Sequence, residues 1–203
     1  FPEPDLVPIV ISDEWIAKVK ANQPELRTEK LERYQREFDL PKYDAEIITG
    51  HKKFADLFEA ATELCGKPKK VSNWIMVETM RLLKENNMDP EDIRFSPVNL
   101  AKLINLADSG SITNTVAKEV FERIFKDDID PEKYVEEKGL KTVNDEGALR
   151  ETVQKILAEN PQSVEDYHNG KEKAIGFLVG QTMKAMKGKA NPALVNQILK
   201  ELL

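Results

Sequence analysis

Apolar residues in this chain recur three and four positions apart, and no run of β-branched residues alternates with polar ones over the length of a strand. The pattern is clearest in residues 44–65, where the apolar positions are Phe54, Leu57, Phe58, Ala61 and Leu64. Such spacing places these side chains on one face of a helix. Because it continues to the end of the chain, the sequence predicts an all-α fold.

Helix-start and helix-stop residues divide this pattern into segments. Ser12 is expected to cap a first helix, whose residues Trp15, Ile16 and Val19 would face the core. Pro24 predicts the first position of a second helix. The remaining predicted helices of the first part lie over residues 44–65, 70–86, 96–110, 111–127 and 130–139.

The polar stretch 139–147 has no helical periodicity and carries glycine at both ends, so it predicts a boundary. We expect two linked helical bundles: a helical domain over 12–140 and a small tail domain of three to four helices over 141–203. Residues 1–11 contain three prolines followed by an apolar run, which favours an extended connector. The chain is therefore expected to be a fragment that lacks an upstream domain.

Charge is distributed unevenly along the chain. The whole sequence has 30 basic and 36 acidic residues, but residues 171–200 hold six lysines and one acidic residue. No apolar run approaches the roughly 18–20 residues of a membrane helix. The single cysteine excludes an internal disulfide framework. These features predict a cytoplasmic protein without a membrane partner, whose basic end suits an anion.

The basic end contains the stretch "GFLVGQTMKAMKGKANP", residues 176–192. On a helix over 171–187, the core face would carry Ile175, Leu178, Thr182 and Met186. The opposite stripe would combine bare backbone at two glycines with several lysines, which suits a sugar-phosphate backbone. With one more lysine at the following corner, the predicted RNA-binding residues are Lys173, Gly176, Gly180, Lys184, Lys187 and Lys189.

Two further features belong to the corner after this helix. Gly188 is expected in the left-handed position that ends a helix, and Asn191-Pro192 is expected to start the last one. The N–H groups at that start would offer an anion contact. Two other interpretations of the stripe stay open: it is a solvated surface, or its glycines let a neighbouring helix pack closely.

Residues with catalytic chemistry are scarce and scattered. His51 and His168 fall in different predicted domains, and neither has a second His or Cys at metal-binding spacing. Cys65 ends an apolar helix stripe, which favours a buried thiol over a nucleophile. Trp15 and Trp74 lie on apolar faces and are expected in the core. No catalytic residue and no metal ligand are therefore predicted.

Several motifs also resemble one known family. The stretch "NGKEKAIGFLVGQTMKAMKGKANPALVNQILKELL" is similar to the YqeY-like tail domain of the B subunit of bacterial aspartyl/glutamyl-tRNA(Asn/Gln) amidotransferase. "SNWIMVETMRLL", "GSITNTVAKEVFERIF", "YVEEKGL", "ISDEWI" and "FPEPDL" extend the resemblance over nearly the whole chain. It implies a complex with an amidase subunit and a small third subunit. That complex converts Glu-tRNA(Gln) or Asp-tRNA(Asn) to the amide form with ATP and glutamine.

The resemblance also implies what this chain lacks and what it binds. In the family, ATP and Mg²⁺ bind an upstream domain, so no cofactor is expected here and the fragment itself is expected to be non-catalytic. tRNA becomes the expected partner of the basic stripe, and the stripe has no evident aromatic platform, which favours recognition of shape and phosphates. The alternative is a protein–protein docking module that holds the amidotransferase subunits together. A free-standing enzyme has almost no support.

Overall fold

The computed structural model describes residues 10–143 and 145–203, and these residues form an all-α structure, as the periodicity predicted. The connector predicted over 1–11 lies outside the described residues except for its last two positions. The helices of the described residues are α1 Asp13–Asn22, α2 Arg27–Glu37, α3 Lys42–Gly50, α4 Lys52–Cys65, α5 Pro68–Asn73, a π-helical turn Trp74–Thr79, α6 Met80–Glu85, a 3₁₀ turn Pro90–Asp92, α7 Pro97–Asp108, α8 Asn114–Asp127, α9 Pro131–Glu137, α10 Glu146–Glu159, α11 Pro161–His168, α12 Lys173–Ala185 and α13 Pro192–Leu202.

Helix boundaries differ from the predictions in three places. The helix expected over 44–65 is two helices, because His51 has extended backbone angles of φ −124° and ψ 122°. The helix after Pro24 begins only at Arg27, where the Glu29 carboxylate accepts the Leu26 N–H at 2.9 Å and so completes a capping interaction. The segment predicted over 70–86 is helical up to Glu85 but contains the π-helical turn.

A core of aliphatic side chains and clustered aromatic rings holds α2 to α9 together. α4 lies along α7, and Phe121 packs with ring centroids 5.1 Å from Trp74 and 5.5 Å from Phe95. The fully buried large side chains of this region are Tyr34, Phe54, Phe58, Phe121, Ile48, Ile75, Ile93, Leu100, Leu103, Ile104, Ile112 and Ile124. We call residues 12–140 the helical region.

Charged networks border this core. Lys30, Arg33 and the Tyr34 hydroxyl all donate to the Glu59 carboxylate, at 2.9, 2.5 and 2.8 Å. Burial would raise the pKa of Glu59, but these three hydrogen bonds outweigh it and lower the pKa below its ordinary value. The buried Glu78 carboxylate in the π-helical turn is paired in the same way, with Lys118 at 2.8 Å. Neither network has an unpaired charge that would suit catalysis.

The first helix has no buried residue, which contradicts the predicted core role of its apolar stripe. Ser12 does cap α1, since its hydroxyl accepts the Trp15 N–H. Yet Trp15 is 57% exposed, and Ile16 and Val19 are also exposed. An amphipathic pattern shows that one face of a helix is apolar, but it does not show that other residues of the same region pack against that face. Trp74, by contrast, is partly buried against the core, as expected.

Helices α10 to α13 surround a second, separate cluster of buried residues. Its members are all aliphatic: Leu149, Val153, Ile156, Leu178, Ala190, Val195, Ile198 and Leu199. We call residues 141–203 the tail region. Whether the two regions are separable domains that meet at 139–147 stays a prediction.

The corner between α12 and α13 contacts the helical region. The Thr113 hydroxyl donates to the Gly188 carbonyl at 2.6 Å. Within the tail region, the Val143 N–H donates to the Lys189 carbonyl at 2.8 Å. Val143 and Ala190 form an isolated parallel β-bridge beside these contacts. The corner therefore serves as a point of attachment between the end of α12 and the start of α8.

Candidate nucleic-acid interface

Packing within the tail region fixes which side of α12 faces outward. Leu178 and Thr182 are fully buried against α10 and α13, and Ile175 and Met186 are partly buried beside them. These are the four residues that the helical periodicity assigned to the core. The opposite side of α12 is consequently exposed to solvent over its whole length.

Both glycines of the predicted stripe lie on this exposed side. A Cβ atom added to Gly176 or Gly180 would meet nothing within 4 Å, apart from the helix itself. Among the described residues no neighbouring helix therefore packs against the glycines. The glycines do not serve close helix packing within the described part of the chain, and the space beside them is open to an external ligand.

Lys173 and Lys184 extend from the same exposed side. Within the described part of the chain, neither ammonium group has a carboxylate within ion-pair distance. α12 itself contains no Asp or Glu. The basic side chains are thus free of internal neutralisation, and Gly176 and Gly180 leave the helix backbone bare between them.

Lys187 does not continue the helical stripe, because α12 ends at Ala185. It has a left-handed backbone with φ 53°, and Gly188 follows with φ 72°. The Gly188 N–H donates to the Met183 carbonyl at 2.8 Å and the Lys187 N–H to the Lys184 carbonyl at 3.0 Å, which is a Schellman ending. Lys187 thus occupies the position that was expected for Gly188. Its side chain is exposed, at the end of the stripe.

Two predicted anion contacts at the corner already have partners in the protein. The Lys189 ammonium donates to the Gly139 carbonyl at 2.9 Å, so this side chain joins the two regions and is not a free cation. The Asn191 side chain accepts the N–H groups of Ala193 and Leu194, at 3.0 and 3.5 Å. The start of α13 is therefore capped, as predicted, but its N–H groups are not open to a phosphate.

Phe177 is the residue that the stripe prediction missed. It is 48% exposed although the next residue, Leu178, is fully buried. At about 100° per residue, Phe177 lies about 20° from Lys184 around the helix axis. The helical spacing that selected the lysines could therefore have identified it. The exposed side of α12 does carry an aromatic ring, contrary to the expectation of no aromatic platform.

Outside this surface, candidates for chemistry are few. In residues 10–143 and 145–203, no group of three or more His, Cys, Asp or Glu side chains could hold a metal ion. His51 is exposed, with its Nδ1 atom 4.0 Å from Glu91, and Cys65 is a partly buried free thiol. The same residues include no helix that is both long and apolar enough to cross a bilayer.

Comparison with known proteins places these features in a family. Residues 56–203 match the sequence profile described as the GatB domain. Three similar relatives are each named as the B subunit of aspartyl/glutamyl-tRNA(Asn/Gln) amidotransferase. The protein of Agathobacter rectalis is 71% identical, that of Lachnoclostridium phytofermentans 61% and that of Lachnospira eligens 60%; each match covers the whole of this chain. The chain spans only 43%, 42% and 43% of the length of these relatives. The match over most of its residues shows that the chain belongs to the GatB domain family.

Proposed function

We propose that this chain is a tRNA-binding part of an amidotransferase B subunit, and that the exposed side of α12 contacts the tRNA sugar-phosphate backbone. The contact surface consists of Lys173, Gly176, Gly180 and Lys184, with Lys187 at its end. Lys189 supports it from the corner. In this proposal the chain positions Glu-tRNA(Gln) or Asp-tRNA(Asn) for ATP- and glutamine-dependent amidation by the whole complex.

One observation carries the proposal: unpaired lysines and open glycines share one side of a single helix. A glycine inside a helix costs roughly 0.5–1 kcal/mol relative to alanine, and here no packing within the chain offsets that cost. Bare backbone lets a large ligand approach closely, and the lysines match a negatively charged one. The names of the relatives contain tRNA, which is a ligand of this kind.

The proposal assigns the chemistry of amidation to other parts of the complex. The amidase subunit and the small third subunit are the expected protein partners, in the cytoplasm. ATP and Mg²⁺ are expected to bind the longer B subunit outside this chain. The 203-residue chain alone should accordingly show no ATPase, kinase or glutaminase activity.

The dependence of binding on salt tests the proposal. Each phosphate neutralised by a lysine contributes about 0.7–0.9 to the slope of log K against log salt concentration. Replacing both Lys173 and Lys184 with alanine should weaken binding of tRNA(Gln) to the 203-residue chain and flatten the slope by about 1–2 units. A matched control replaces Lys155 and Lys200, which lie elsewhere on the tail region, and should leave the slope nearly unchanged.

Two results would contradict the proposal. Equal slopes for the α12 double variant and the wild-type chain would mean that the two lysines contact no phosphate. Equal flattening by the control variant would mean that only net charge matters, and that α12 has no special role.

The exposed side of α1 favours a second candidate function, a protein–protein docking module that holds the amidotransferase subunits together. Trp15, Ile16 and Val19 form an apolar surface that no residue of the described part of the chain buries. In a Trp74→Phe variant, the fluorescence of the chain reports Trp15 alone. After the emission of the amidase and small subunits alone is subtracted, the emission of Trp15 in the complex should lie at shorter wavelength if α1 docks on them. Unchanged emission in a complex that has formed would reject this role for α1.

A further inference from the structure

The tail region contains two Tyr, Phe or Trp residues, Tyr167 and Phe177, and buries neither of them. Its core is aliphatic, although an aromatic side chain would have contributed a large apolar surface there. Phe177 instead stands on α12 beside Lys184, with Gly176 and Gly180 leaving the surface next to it clear. The ring is thus accessible to a flat ligand as well as to water.

The charge around the ring selects among possible ligands. Lys173 and Lys184 lie on the same side of α12, which has no acidic residue, so a polyanion is favoured over an apolar protein surface. Paired bases in an RNA helix are stacked on one another and do not expose their faces along the helix. Unpaired or terminal bases do expose them, and proteins commonly bind such bases by stacking on aromatic rings.

We infer that Phe177 stacks on an exposed nucleobase of the RNA, while the neighbouring lysines contact the phosphates on either side of it. This inference rests on the proposed function and gives it a finer ligand: a loop or a helix end rather than the side of a duplex. The contribution of stacking to affinity does not depend on salt concentration, whereas the contribution of the lysine contacts falls as the salt concentration rises. The two contributions can therefore be measured separately.

The test compares two RNAs with equal numbers of phosphates, a hairpin with an unpaired loop and a blunt duplex whose end bases are covered by a stacked dye. Phe177→Ala in the 203-residue chain should lower affinity for the hairpin and for tRNA(Gln) by about 5- to 100-fold, the range expected for one stacked base. Affinity for the capped duplex and the salt slope should not change. Because Phe177 is exposed, the variant should fold normally, which its thermal unfolding checks.

Two variants separate stacking from simple apolar contact. Phe177→Trp should retain or increase hairpin affinity, because indole offers a larger stacking surface. Phe177→Leu keeps an apolar side chain without a ring and should behave like Phe177→Ala. Wild-type affinity in Phe177→Leu, or equal losses on hairpin and duplex, would overturn the inference.

Failure of the inference is distinguishable from failure of the proposed function. If Phe177→Ala binds both RNAs normally while the Lys173/Lys184 variant still flattens the salt slope, the backbone contact stands and stacking is rejected. If the wild-type chain does not bind tRNA(Gln), the proposed function fails, and this inference fails with it.

Discussion

The helical region and the tail region bury different side chains and present different surfaces. The helical region encloses clustered aromatic rings and satisfies its carboxylates with ion networks such as that of Glu59. The tail region packs aliphatic residues, and along α12 it leaves Phe177 half exposed and two lysines without an ion pair to any described residue. In the proposed function the two regions divide the roles: the helical region is a scaffold and the tail region carries the binding surface.

The largest expected effects come from truncating each core in turn. Phe121→Ala should destabilise the helical region by about 3–5 kcal/mol, and Leu178→Ala should destabilise the tail region by about 2–5 kcal/mol. Both tryptophans precede residue 140, so tryptophan fluorescence reports the helical region while helical circular dichroism reports both. If the regions unfold separately, Leu178→Ala should shift only the dichroism transition. A parallel shift in fluorescence would show that the chain is one cooperative unit.

Acid should affect the helical region more than the tail region. Because hydrogen bonds lower the pKa of Glu59 in the folded protein, this group stabilises the fold above its unfolded pKa of about 4.5. That contribution is lost as the pH falls through the lower, folded value. Glu59→Gln should cost about 1–3 kcal/mol at pH 7 and reduce the acid sensitivity of the fluorescence transition. Unaltered acid sensitivity would exclude Glu59 as its source.

Two glycines of the tail region should respond to alanine with opposite signs. Gly188 has φ 72°, and its added Cβ would lie 3.4 Å from the Thr115 side chain, so Gly188→Ala should cost about 1–2 kcal/mol and loosen the corner. Gly180→Ala, in open helix, should stabilise the tail region by about 0.5–1 kcal/mol. Limited proteolysis at 139–147 should accelerate only in Gly188→Ala. Equal rates in both variants would mean that the corner does not hold the regions together.

Lys187 should show the smallest effect and the clearest separation of stability from binding. Its left-handed backbone is unfavourable for a residue with a Cβ, so Lys187→Gly should raise stability by about 0.5–1 kcal/mol. The same change removes one positive charge and should flatten the tRNA salt slope by less than one unit. Lys187→Arg is the control, since it keeps both the charge and the strain. A Lys187→Gly chain that binds tRNA with the wild-type slope would remove Lys187 from the contact surface.

Sequence periodicity predicted most of the fold, because the buried side chains along a helix recur with the helical repeat. It identified the buried side of α12 and the caps at Ser12 and Asn191. It did not predict the break between α3 and α4 at His51, because Gly50 alone was too weak a signal. It also did not predict the π-helical turn, because no Gly or Pro lies in that segment. These features depend on tertiary packing, which a single segment does not encode.

Helical periodicity also predicted part of the candidate site. Lys173, Gly176, Gly180 and Lys184 share one side of α12, as helical geometry requires. Lys189 was assigned to RNA from its charge and its position at the corner. Its hydrogen bond to the Gly139 carbonyl, fifty residues earlier, depends on the tertiary fold and has no local signal. Phe177 was overlooked because a hydrophobic residue in a helix is usually expected in the core.

The most direct test of the central claim is a single substitution at Gly180. Leucine there should preserve or improve the helix, because glycine is a poor helix former and a Cβ atom at this position meets nothing within 4 Å. It should nevertheless weaken tRNA(Gln) binding at least tenfold by holding the backbone of the RNA away from α12. Gln154→Leu, at an exposed position on α10, is the control and should bind normally. A Gly180→Leu chain that folds and binds tRNA like the wild type would show that the exposed side of α12 is only a solvated surface.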